Sequence, residues 1–364
     1  MNVELYINIF FFTLLAVATI YAMFGQQAIR NDSRAATLLL VLFVLGILSF
    51  RPIDHAFGDT PTYARSYKEY VQWGLSVFES AKDWGFGLLT LFMARFNSVT
   101  AYFAVIACIY VLPVYYALRK GMPQGVFVAM LLFVCSFSFL GYGANGLRNG
   151  MATSLVLAAF FCPKWWLQVL LMAIGASFHG SALLPIGVFW LARFYHNPKT
   201  FLIIYATFLV ISLVFGSQLG PIISDWEIMD NADNRLQDYL GTTMDDQLDT
   251  HIARENFSRT GFRWDFMLYS LVPIVLGYIY IFRLGYKDRL YRILYCTYVG
   301  CNACWLLTTY VPFNNRFAYL SWFIYPVVMS YPLLKDKNLV DYQQAKLQLM
   351  VLLNYSFTLF MYYK

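Results

Sequence analysis

The chain has 364 residues, of which 60% are hydrophobic and only 13% charged, with a formal net charge of +6. A soluble domain carries about 25% charged residues, so a water-soluble globular enzyme is excluded. The class is an all-α polytopic membrane protein, because apolar runs near span length recur from end to end.

Twelve transmembrane helices are expected, at about 5–24, 35–50, 99–118, 124–140, 147–162, 165–178, 181–194, 200–216, 265–283, 291–310, 316–333 and 344–362. The first run lacks a basic leader and a small-residue cleavage site, so it reads as a span rather than a signal peptide. The sixth and seventh are short enough for a tilted or re-entrant pair. Alternate loops then collect fourteen basic side chains against four acidic ones on one side, leaving twelve and sixteen for the other. By the positive-inside rule the basic side is cytoplasmic and both termini are outside. The whole chain, 1–364, reads as one transmembrane domain with two long outer loops, 51–98 and 217–264, contributing to the site.

In the first long loop, Thr60-Pro61 has the form of an N-cap followed by a first-turn proline. Tyr63, Tyr67, Tyr70, Val71, Gly74, Leu75 and Phe78 then recur at helical spacing, opposite Arg65, Lys68, Glu69, Gln72, Ser76 and Glu79. This predicts an amphipathic helix lying in the outer interface, its tyrosines at headgroup level. Asp83-Trp-Gly-Phe-Gly87 leads back toward the membrane. Trp84 and Phe86 suit either sugar stacking or packing. The second long loop is acidic and puts Asn231, Arg235 and Tyr239 on one helical face, as a sugar-contact lid or a solvated loop.

The short outer loops carry the unusual charges. Gly141-Tyr-Gly-Ala-Asn-Gly-Leu-Arg-Asn-Gly150 places Arg148 beside an apolar span, where a guanidinium costs about 3 kcal/mol on insertion scales. Arg316 opens a later span, and a cation at a helix N-terminus opposes the macrodipole. His179 lies in a third short loop, and Arg51, Asp54 and Asp59 follow the second span. All sit at one membrane face. The only mid-span exception is Asn302, a neutral residue suited to bonding a neighbouring helix. Cys301-Asn-Ala-Cys304 lies mid-span without a second ligand pair and reads as helix packing. A transporter with alternating access wants polar groups near the midplane and internal repeats, and the sequence has neither. A one-sided set of guanidinium, imidazole and carboxylate groups suits a lipid-linked anion, since guanidinium matches phosphate oxygens bidentately. The plainer alternative is a helix–helix turn whose arginine snorkels.

Four motifs in order, Gly58-Asp59-x-x-x-Tyr63, Asn145-x-x-Arg148, Phe178-His179-x-Ser181-Ala182 and Asn315-Arg316, resemble the EpsG family of polysaccharide polymerases. These are Wzy-type enzymes related to the GT-C glycosyltransferases, and the similarity covers roughly 40–330. Asn149-Gly150 departs from the Gln-Gly pair expected after Arg148. The resemblance implies a GT-C-like fold and an active site at the outer, periplasmic face of a bacterial inner membrane. The implied reaction passes a glycan from an undecaprenyl-pyrophosphate carrier to a terminal hydroxyl of another lipid-linked repeat unit. Donor and acceptor are the partners, with membrane lipid and a chain-length regulator and flippase of the same pathway. Cofactors, metal and nucleic acid are not expected.

Within that scheme Asp59 is the expected base, with Asp54 second and Asp83 behind it, and His179 the expected proton-bearing or phosphate-bonding group. Arg148 and Arg316, with Arg51 and Asn145, are assigned to the pyrophosphate. Tyr63, Tyr67, Arg235 and Asn315 are assigned to acceptor or sugar. Asp59 has a simpler alternative as the cap of the helix at Pro61. Two other classes fit less well: a membrane acyltransferase with His179 as base and Arg148 on the donor, and a non-enzymatic lipid-linked glycan flippase.

Overall fold

A computed structural model describes residues 2–30, 34–79, 82–224, 261–310, 314–336 and 338–363. Among these the chain is helical, without strands. Helices stand at each of the twelve expected positions. They are α1 (Val3–Arg30), α2 (Arg34–Ser49), α3 (Thr60–Trp73), α4 (Leu75–Glu79), α5 (Trp84–Ala94), α6 (Val99–Gly121), α7 (Val126–Val134), α8 (Phe137–Leu140), α9 (Leu147–Phe160), α10 (Trp165–Phe178), α11 (Leu183–Phe194), α12 (Pro198–Ser224), α13 (Trp264–Tyr278), α14 (Arg289–Leu307), α15 (Asn315–Trp322), α16 (Tyr325–Lys335) and α17 (Gln343–Tyr363). By length and composition, five stretches among the described residues can cross a membrane: Val3–Gly25, Val99–Gly121, Pro198–Leu219, Trp264–Arg283 and Asn315–Lys335. The bent pair Val126–Val134 and Phe137–Asn145 makes a sixth if it is one span. The protein is a polytopic α-helical membrane protein.

Two compact units divide the chain, residues 1–186 with 326–364, and residues 187–325. In the first, α9 packs against α6 and α10 and buries almost every side chain from Leu147 to Phe160. Its small residues, among them Gly150, Ala152, Ser154, Ala158 and Ala159, let neighbouring backbones approach. The 68° break between α7 and α8 frees carbonyls that lipid cannot satisfy. Two side chains of α17 take them: Asn354 donates to Leu132 O at 3.1 Å and Thr358 to Cys135 O at 2.8 Å. α17 also lies along α1, where the Tyr355 hydroxyl donates to Phe11 O.

The second unit is built on α14, which packs against α12 and α15. Its tyrosines hydrogen-bond to α13 carbonyls on either side of Pro273: Tyr298 to Ser270 O and Tyr295 to Ile274 O, both at 2.9 Å. Asn302, fully buried, donates to Ser321 Oγ on α15 at 2.9 Å, the helix–helix bond expected of it. Cys301 is buried on the same helix.

The amphipathic α3 forms where its period predicts, but its tyrosine face turns into protein. Tyr63, Tyr67 and Tyr70 are buried, and α3 packs on α5, the apolar helix that begins at Trp84. Thr60 is not the cap. Asp59 occupies that position and makes no side-chain cap bond, with Pro61 in the first turn.

Candidate functional site

The site lies in the first unit, where segments from four parts of the chain meet. Gly58 makes the first junction. Its φ of +60° suits glycine, and a Cβ there would stand 2.4 Å from the Asn145 side chain. The close approach lets Asn145 Oδ1 accept from the Asp59 N–H at 3.0 Å. The Thr60 hydroxyl reaches Ala144 O at 2.9 Å. The glycine-rich break, wound into a wide π-helical turn over Gly141–Asn145, is thus clamped to the start of α3. Asn145 Oδ1 is thus engaged with backbone.

Gly85 makes the second junction. A Cβ there would stand 2.1 Å from Ser177 Oγ, so only glycine lets the first turn of α5 sit against the end of α10. Asp83, at the head of α5, is thereby brought to Arg148 and His179. Arg148 Nη1 donates to Asp83 Oδ2 at 2.5 Å, and His179 Nδ1 lies 3.2 Å from the same oxygen. An ionised carboxylate only accepts, so Nδ1 carries the proton, and an uncharged form of the ring would keep its lone pair on Nε2. Among the described residues Nε2 has no partner. Burial alone would raise the Asp83 pKa. The His179 hydrogen bond, the Arg148 and His179 charges and the Gly180 N–H outweigh it and hold the carboxyl below its ordinary value. The three side chains remain partly open, at 25% exposure for Arg148, 15% for Asp83 and 30% for His179. The Tyr63 hydroxyl lies beside the Arg148 guanidinium, and Asp59 lies in its field. Asp83 ranked only third as a base, and its partners are 65 and 96 residues away. The one local signal was an acid at the head of an apolar helix.

Other expected residues stand differently. Arg51 is 4% exposed. Its Nε donates to Thr60 Oγ1 at 3.0 Å, its Nη1 to Leu48 O, and its plane lies 4.1 Å over Phe103. It pins α2 to α3 from within, and its Nη2 is buried without a hydrogen-bond partner. Tyr67 is 1% exposed. Its hydroxyl donates to Met93 O and accepts from the Ser98 N–H, so in this structure it is a strut between α3 and the α5–α6 connection. Asp54 caps the short turn His55–Phe57 by accepting from the Ala56 N–H at 2.9 Å. Arg235 lies outside the described residues.

Asn315 and Arg316 belong to the second unit, at the head of α15. The Tyr319 hydroxyl lies beside Asn315 and in the field of Arg316 and Arg263. Arg263 forks onto Asp265 at 2.8 and 2.7 Å and lies 3.8 Å over Phe266. This cationic neighbourhood was not foreseen beyond Arg316 and Asn315.

Among the described residues, no group of three or more His, Cys, Asp or Glu side chains is arranged to hold a metal. The unit-one geometry combines a guanidinium with unused N–H donors, an imidazole oriented by a carboxylate and a second carboxylate nearby. Such a set can hold an anion and move a proton beside it. No curated protein and no solved structure matches the chain. The family model of the EpsG family matches residues 34–364, and the chain belongs to that family of polysaccharide-polymerase-type membrane proteins.

Proposed function

We propose that this protein lengthens a lipid-linked glycan by transferring it from a polyprenyl-pyrophosphate carrier, undecaprenyl in a bacterial inner membrane, to the terminal hydroxyl of another lipid-linked repeat unit. The acceptor oxygen attacks the anomeric carbon, the bond from that carbon to the pyrophosphate oxygen breaks, the hydroxyl proton passes to a base, and the carrier leaves as its pyrophosphate. Twelve crossings, a GT-C-like arrangement, a periplasmic site and pathway partners such as a flippase and a chain-length regulator belong to the same proposal. The observation that carries it is the meeting of Asp59, Asp83, Arg148 and His179 in one unit of an EpsG-family chain.

Arg148 has five N–H donors, and Asp83 leaves some of them for phosphate oxygens. Asp83, held ionised by its partners, is a poor proton acceptor and serves to position Arg148 and His179. Asp59 is the base. A second reading gives that role to His179, favoured by the Nδ1 bond that leaves Nε2 as acceptor. Purified protein in nanodiscs, supplied with lipid-pyrophosphate-linked repeat units, tests both. Longer glycan with released carrier supports the transferase, whereas movement across the membrane without covalent change supports a flippase. Loss of transfer in Asp59→Asn with retention in His179→Ala assigns the base to Asp59, and the reverse assigns it to His179.

A further inference from the structure

A second cleft opens at the same end of the first unit and takes no part in the chemistry above. Its volume is about 460 Å³, and it lies where the start of α1 and the end of α17 meet the 54–56 turn. Glu4, Asn8, Asp54, Tyr362 and Tyr363 supply its polar and aromatic lining. Tyr362 and Tyr363 pack edge to face with centroids 5.2 Å apart, and Phe11 lies 4.4 Å beneath Tyr362. Both tyrosines nonetheless stay more than one-third exposed. The Tyr363 hydroxyl donates to Asn8 Oδ1 at 2.7 Å, which keeps both Asn8 amide N–H donors for another partner. Asp54 spends one oxygen on the Ala56 N–H and keeps the other.

The chemistry of this lining is the opposite of the Arg148 site. Among its described lining residues there are two carboxylates and no cation, a set that disfavours a phosphate or an anionic headgroup. Carboxylate acceptors, amide donors and supported aromatic faces are what a hydroxyl-rich, uncharged ring needs: acceptors for its O–H groups and a flat apolar surface for its C–H face. The cleft is also tied to the reacting end. Asp54 and Ala56 line it, while Asp59 and Thr60 of the same segment stand in the site, so five residues bound the separation of Asp54 and Asp59 at about 17 Å. Tyr6, next to the lining residue Ile7, donates to Ile47 O at 2.6 Å and packs on Phe57.

We propose that this cleft binds the uncharged body of a glycan, holding the growing polymer while its end is at the Arg148 site. The direction of that use rests on the polymerase reading. The binding itself does not. The probe is a partial acid hydrolysate of the producing strain's own surface polysaccharide, free of lipid and phosphate, added to the full chain in nanodiscs and followed by saturation-transfer NMR. The expected result is binding, weakened about tenfold by the Glu4→Gln, Asp54→Asn pair and by Tyr362→Ala. Glu4→Gln alone, on an exposed first turn, guards against a folding defect and should give a smaller loss in the same direction. Failure of the hydrolysate to bind, or variants that bind as the parent does, overturns the proposal. Transfer from lipid-linked units is measured in the same preparations. Binding without any transfer keeps the cleft and sinks the polymerase reading, whereas transfer without binding does the reverse.

Discussion

Two arginines at one end of the first unit show how differently one side chain can be used. Arg51 is sealed beneath the junction of α2 and α3, stacked on Phe103, with a backbone carbonyl and a hydroxyl as its acceptors. Arg148 stands at a partly open rim, flanked by Asp83 and in the field of Asp59. Burial without a carboxylate makes the first a fastening, whose loss is felt by the fold. Charge balance at partial exposure leaves the second open to a further partner, and in the proposed reaction a phosphate competes with Asp83 for the same fork.

The contrast is sharpest in activity. Arg148→Ala should cut glycan transfer by about 10²–10³-fold, the effect of removing one preorganised donor from a developing anion, with protein levels in the membrane unchanged. Arg148→Lys should recover little, because a point charge does not reproduce the fork. A fully active lysine variant would break the comparison. Making the Arg148→Ala, Arg316→Ala double variant then asks whether the two units act on one step. Losses smaller than the product of the singles mean that they do.

Asp83→Asn should cost about 10–100-fold, the scale of losing an orienting partner behind a catalytic or ligating histidine. Its signature is a changed pH profile of transfer, since the amide can no longer fix the His179 tautomer by accepting alone. A uniform loss with an unaltered profile would assign Asp83 to architecture.

For Arg51→Ala the order reverses. The fold should lose about 2–3 kcal/mol through the cavity and the stranded acceptors, measured as a fall in the unfolding midpoint in nanodiscs. The protein that remains folded should keep its transfer rate. If it loses activity but not stability, Arg51 belongs to the site after all.

These differences also mark what a reader of the sequence could see. Span-length apolar runs, the period of α3 and a neutral asparagine in mid-helix are local or periodic signals, and each led to a helix or a bond that is there. Arg148 was conspicuous because charge is costly beside an apolar span. Its partner was not, because Asp83 is brought to it by the close contact of Gly85 with Ser177, residues far apart in the chain. Tyr67 and the rest of the α3 tyrosine face looked interfacial because periodicity reports an apolar stripe without saying whether lipid or protein covers it. Arg51 looked like a ligand for the same reason that Arg148 did: sequence shows the charge but not the depth. Asp54 was legible as an outer carboxylate, yet its place in a second cleft depended on α1 and α17 lying side by side.

The smallest expected effect tests the charge balance of the rim directly. The Asp83 carboxyl is held below its ordinary value in the folded protein. Its ionised form therefore stabilises the fold at every pH above the unfolded carboxylate range, about 4. That contribution falls away as pH drops through the lower, folded value. The unfolding midpoint of the parent protein should exceed that of Asp83→Asn at pH 7, and the gap should begin to close only below about pH 4. Arg148→Ala should narrow the same gap at neutral pH, since one of the groups that depress Asp83 has been removed, while Arg51→Ala should leave it untouched. A gap that ignored acid, or that responded to Arg51 as strongly as to Arg148, would mean that the two arginines are not differently employed.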